Sequence, residues 1–297
     1  MSDLVPLGAE AAANTWLYAA VLLAVGVSVT RWWLRLGVRS SLSEAAVERL
    51  EHRLADLGLR VAIVVAIALA FRMWAHTIAT FGWWELFSWD RVLIVAARSR
   101  WGHSWQVQMM AAVVLIGAHL SIRTQRRSGW LVATLASVGL CGTLPFVGHA
   151  AGSTSRVLLH GLHVLGAGLW LGTLTVVLVV SRPSLGSDGG LTTKEAVGQA
   201  FLRRFSPIAF SGMTTLVVTG AVTAWLYVGS LTNLWATSYG RVLSAKILLF
   251  LSVGICGWFN WRQFSRPGGR RFPVVLEVSL AAGVVVLTGL LSQLEHP

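Results

Sequence analysis

Eight stretches of about twenty mostly apolar residues, near 14–35, 58–80, 105–122, 130–150, 157–180, 206–228, 242–262 and 274–293, constrain this chain more than any other feature. A helix rising 1.5 Å per residue needs roughly 20 residues to cross about 30 Å of hydrocarbon, so each run has the length of a membrane span. Inside hydrocarbon every backbone N–H and C=O must be bonded by the protein itself, which leaves only helices or closed barrels. The runs are continuous and do not alternate with period two, so the reading is an all-α integral membrane protein with about eight transmembrane helices. Composition agrees: 55% of residues are hydrophobic and 12% charged, with a mean hydropathy of +0.67, which excludes soluble classes.

The net charge of +12 would suggest nucleic acid in a soluble protein, but here its distribution matters more. With their flanking turns, the first, third, fifth and seventh connections carry 6, 3, 4 and 4 Lys and Arg, against 3, 1 and 1 in the second, fourth and sixth. Basic residues stay on the cytoplasmic side, which places both termini outside and makes clusters such as Arg123, Arg126 and Arg127 anchors beside anionic lipid, with no nucleic-acid partner expected. The acidic start, Met1 to Glu10, lacks the basic opening of a cleavable leader, so the first span is expected to stay. A weak likeness between residues 98–103 and 237–241, with Gly102 set on Gly240, suggests two parallel four-helix halves. The working division is a first region over 1–129 and a second over 130–297, joined in one membrane domain.

Histidines mark the site. His149 closes the fourth apolar run, and His160 and His163 open the fifth after a short polar loop. Imidazoles are costly in a bilayer and usually functional there. His160 and His163 lie one turn apart on one face, so the three rings are a candidate set for one metal ion or a haem. The plainer alternative is that a ring caps a helix end or bonds a buried carbonyl. By orientation this junction faces outside.

From about Pro145 onward the chain resembles the CopD family of bacterial inner-membrane copper proteins. The residues that carry the resemblance are GlyHisAla at 148–150, LeuHisXaaXaaHis with TrpLeuGly over 159–172, ArgPheSer at 204–206, ThrGly at 219–220, TyrGlyArg with Lys246 over 239–246, Asn260 with Arg262, and LeuGlu at 276–277. The first 130 residues fit by pattern: their spans, and the aromatic loop ending at Gly102. The resemblance implies copper movement across the inner membrane, most often inward, and a periplasmic CopC-like copper carrier as partner, expected as a separate chain. No enzymatic activity is implied.

Ligand chemistry is compatible with copper. Imidazole and thioether suit Cu(I), and Met73 with His76 in the second span, and Met109 with Met110 opening the third, form a candidate ligand trail. His76 is the fourth candidate ligand, His103 an accessory at the mouth, and His119 an exit ligand or an interfacial residue near the inner surface. Methionine in a span is also ordinary packing. Three charges are embedded: Arg72, Lys246 and Glu277. Lys246 and Glu277 are expected at opposite depths and hence not paired, with Glu277 level with Arg203, Arg204, Arg262 and Arg270. Arg72 would oppose a metal at His76 unless Glu85 or Asp90 neutralises it, and would equally serve as a counter-ion for haem propionates. The Trp-rich segment 81–105 predicts an interfacial helix over roughly 88–98. A haem b held by two of His76, His149, His160 and His163, as in an electron carrier or oxidoreductase, is the alternative cofactor reading. Membership of a larger membrane complex is a third.

Overall fold

The computed structural model describes residues 4–38, 43–85, 88–124, 126, 128–147, 152–180, 191–264 and 274–294, with no side-chain description for 4–7, 37–38, 191–206, 260–264 and 274–275. The described residues are helical throughout and contain no strand. The helices are α1 (Leu4–Trp33), α2 (Glu44–Phe81), α3 (Trp89–Arg98), α4 (Arg100–Arg123), α5 (Gly129–Thr143), α6 (Thr154–Ala167), α7 (Thr173–Val180), α8 (Leu191–Val228), α9 (Asn233–Ala236), α10 (Ser238–Phe264) and α11 (Val274–Leu291). Among the described residues seven helical segments are long and apolar enough to cross a membrane, and a shorter apolar helix, Leu276–Leu291, stands at the eighth expected position.

Several helices overrun their apolar runs. α2 begins at Glu44, where Ser43 Oγ accepts from the Ala46 N–H, and its first turns bury Val47, Leu50 and Leu54 at helical spacing while Glu48 and His52 stay outward. That extension places Glu51 beside α1, where Arg35 forks onto it at 2.5 and 2.6 Å. Arg31 lies over the rings of Trp32 and Trp130 at 5.2 and 5.3 Å, so two of the basic anchors are tied to the protein itself.

The fourth run ends sooner than expected. α5 stops at Thr143, and Pro145 sits in a tight 3-10 turn, Leu144–Val147, so the proline ends the helix. His149 itself lies outside the described residues. α3 forms where the tryptophans place it, with Trp89 and Leu93 facing outward and Val95 packed inward.

α1 is the centre of the bundle, packing on α2, α5, α7, α11 and the π-helical turn Gly168–Gly172 that joins α6 to α7. The approach at that turn is set by glycine: a Cβ on Gly172 would stand 2.0 Å from the Leu22 carbonyl oxygen, and one on Gly26 would stand 2.3 Å from the Gly172 backbone. The glycines of the fifth span meet three different neighbours. Gly161 meets α5, Gly166 meets α8, and Gly168 and Gly172 meet α1.

Candidate functional site

Seven helices line a cavity of about 770 Å³ at one end of the bundle. From α1 comes a stripe at four-residue spacing, Glu10, Asn14, Tyr18 and Leu22, which a helix carries on one face. α2 supplies Arg72 and His76, α4 supplies Trp101, α6 supplies His160 and His163, and α10 supplies Tyr239 and Lys246. Residues of α8 and α11 complete the wall. Toward the middle of the bundle the cavity ends on Trp170, held in the π-helical turn edge-on to Phe250 at 5.7 Å, with Leu216, Val253 and Ala281 around them.

The hydrogen bonds assign the tautomers. Thr219 Oγ1 donates its single proton to the Thr215 carbonyl at 2.5 Å and stands 2.9 Å from His163 Nδ1. It must therefore accept from Nδ1–H, which leaves the Nε2 lone pair of His163 for a ligand. Gly220 makes room for this ring, since a Cβ there would stand 3.2 Å from His163 Cε1. The ThrGly pair thus acts on His163: one residue sets its proton, the next admits its ring.

His76 is arranged in the same sense. Its Nδ1 lies 2.8 Å from Glu10 Oε1, and a carboxylate accepts, so Nδ1 is the donor and the neutral ring carries its lone pair on Nε2. The ring stacks on Trp101 at 4.0 Å with an 8° interplanar angle. Carboxylate–imidazole and hydroxyl–imidazole pairs are the usual supports of metal-ligating histidines. His160 differs, because its Nε2 is engaged with the Tyr18 hydroxyl at 3.0 Å. It can ligate through that atom only by releasing Tyr18.

The other sequence candidates are spread out. Met73 is buried within α2, Met109 is packed against the core, Met110 is largely exposed, and His103 is exposed, and none of the four lines the cavity. The expected methionine trail does not reach the site, because the face of α4 that carries Met110 points away from the bundle. His119 is fully buried against Gly58 and edge-on to Trp130, away from the cavity. Glu277 lies against Gly257, eleven residues and about 16 Å along α10 from Lys246, so these two charges do sit at different depths. Arg203, Arg204, Arg262 and Arg270, expected level with Glu277, fall outside the described side chains. Arg72 meets neither Glu85 nor Asp90. It lies 3.4 Å from Gln108 Oε1 and over the Trp101 ring at 5.7 Å, while Glu85 pairs with Arg91.

Among the described residues no three His, Cys, Asp or Glu side chains gather closely enough to hold a metal ion. What the cavity offers is two imidazoles with presented Nε2 atoms, His163 and His76, and a third on a tyrosine. Sequence reasoning missed Glu10, Tyr18, Trp101 and Thr219 as functional side chains. The polar positions 10, 14 and 18 on an otherwise apolar first span were the available signal.

One expected result follows from the Thr219 assignment. Thr219→Val removes the acceptor and frees His163 Nδ1, and copper affinity of the purified protein should fall roughly 10–100-fold, the usual cost of losing such a support. Thr219→Ser should restore it in the same copper titration, and an unchanged valine variant would refute the tautomer assignment.

Two family descriptions match the chain: "Copper resistance protein D-like, N-terminal domain" over residues 9–157 and "Copper resistance protein D" over 199–292. A curated relative, the copper transport protein CutJ of Bacillus subtilis, is 27% identical over 288 residues, covering 93% of this chain and 50% of its own length. The chain thus spans about half the length of the curated relative it matches. No solved structure matches. The N-terminal match covers half of the chain by itself, including the part where the sequence offered only a pattern of spans, and with the second match it reaches the last helix: the chain belongs to the copper resistance protein D family.

Proposed function

We propose that this chain carries copper across the bacterial inner membrane into the cell, taking the ion in the cavity at His163 and His76, with His160 and His149 as further ligands. The observation that supports this most is the assignment of His163: in a copper resistance protein D family member, a half-buried imidazole that lines the cavity has its Nδ1 proton fixed by Thr219, which leaves its Nε2 lone pair for a ligand. The name of the Bacillus subtilis relative, a copper transport protein, supports the same substrate. Imidazole and carboxylate suit copper in either oxidation state, and the methionines that argued for Cu(I) stand elsewhere. The cavity is the outer vestibule in this reading, Trp170 and Phe250 close it inward, and a separate periplasmic copper carrier delivers the ion. The protein acts as a transporter and performs no catalysis.

Expression in a bacterial host should raise cell-associated copper and sensitise growth to it, and His163→Ala should remove both effects. Lower copper on expression would reverse the direction. Tags at both termini should be reached from outside and a tag inserted within 123–129 should not; an inward C-terminus would overturn the orientation.

The cavity's volume far exceeds one ion and keeps haem b as a second reading. His160 and His163 share one helix face, so they cannot clamp opposite sides of a macrocycle, and an axial pair would need His76 with one of them. A Soret band in purified protein would transfer the site to haem.

A further inference from the structure

Two cations line the cavity that holds the imidazoles, and neither makes a hydrogen bond or ion pair with a carboxylate among the described residues, although Glu10 stands near enough to Arg72 to act on its charge. Arg72 rests on Gln108 and Trp101, both uncharged. Lys246 has no hydrogen-bond or ion-pair partner among the described residues, yet it lines the same wall as His160 and His163. A third cation, Arg156, lies over the ring of Tyr227, another lining residue, at 5.2 Å. Among the described residues Glu10 is the one acid lining the cavity, and it is engaged by His76.

This is a poor place for a bare metal cation. A cavity of 770 Å³ is about 11 Å across if round, and one fixed positive charge at that distance, at an effective dielectric near 20, weakens cation binding on the order of tenfold. The second charge adds to this loss, and Glu10 offsets part of it. The volume points the same way, because it suits a small organic molecule and not a lone ion. Most of the wall is apolar, as at Leu22, Leu144, Val164 and Leu171, with the charged groups few and converging.

We infer that copper occupies this cavity together with a small carboxylate-bearing anion, whose acid groups lie on Lys246 and Arg72 while the metal meets the imidazoles. The substrate is then a copper–carboxylate complex of zero or negative net charge. This rests on the copper-site reading above and specifies its substrate class. The anion neutralises the two cations, and those cations reject uncomplexed metal ions of similar size.

The test uses the full chain in phosphatidylcholine nanodiscs, with radioactive copper and carbon-labelled citrate as probe, at a free-copper activity held fixed by electrode. Labelled citrate should be retained in proportion to copper. Lys246→Met should lower citrate-dependent copper retention about tenfold and raise copper retention from citrate-free perchlorate buffer, because a repulsive charge has gone. That reversal of sign distinguishes an anion-binding lysine from one that only supports the fold, whose loss would weaken both. Arg72→Gln should act in the same two directions. Copper retained at full level without citrate, or a Lys246→Met variant weakened equally in both buffers, would overturn the proposal. Equal enhancement by phosphatidylglycerol in place of citrate would assign the cations to lipid headgroups and also overturn it. Full copper binding by His163→Ala would instead defeat the copper site itself, and the proposal with it.

Discussion

His163→Ala should cost purified protein more than about 100-fold in copper affinity and abolish uptake, while leaving the bundle folded. Losing an outer support of a metal ligand commonly costs 10–100-fold, so losing the ligand itself should cost more. The fold should persist because His163 points into a cavity, and a methyl in a span is less costly to insert than an imidazole. If His149, His160 and His163 share one ion, their losses should be non-additive, with each single alanine variant binding almost as poorly as the triple. Equilibrium dialysis with metal analysis on folded protein reads this directly. Full binding by both His160→Ala and His163→Ala would end the copper-site reading.

Gly172→Ala is expected to be the most damaging single methyl in the chain, costing above about 3 kcal/mol and yielding little folded protein. The added Cβ would stand 2.0 Å from the Leu22 carbonyl oxygen, a backbone atom that no rotamer change can move. Separation of α1 from the π-helical turn would also shift Trp170 and so the inner end of the cavity. Gly142→Ala is the matched control, since nothing lies within 4 Å of a Cβ at that position. Thermal unfolding in detergent should separate the two clearly. Equal stability would mean that α1 and the fifth span do not pack as described.

Span positions were legible because hydropathy is a property of each segment by itself, requiring no knowledge of its neighbours. The short helix Trp89–Arg98 was legible for the same reason: tryptophans at that density favour a headgroup layer whatever they pack against. His160 and His163 could be placed on one face from their spacing alone. Helix ends were less legible. α2 runs back to Glu44 because amphipathic turns after an N-cap continue a helix beyond the apolar run, and α5 stops at Thr143 because Pro145 cannot continue it.

Partners across helices were not legible. Glu85 and Asp90 were the acids expected to meet Arg72, yet the acid at this end of the cavity is Glu10, sixty-six positions before the histidine it holds. Met109 and Met110 begin the right span, but the rotation of α4 turns Met110 outward. Rotation and tilt of a helix about its axis depend on where neighbours approach, and in a bilayer that is set by small residues and van der Waals fit, not by a hydrophobic difference between core and lipid. Sequence periodicity therefore determined that this chain is a helical membrane protein with histidines at one helix junction. Bringing Glu10, Arg72, Trp101, His163 and Lys246 from five helices to one cavity was decided by packing, because no local property of those segments records which face each turns to the others.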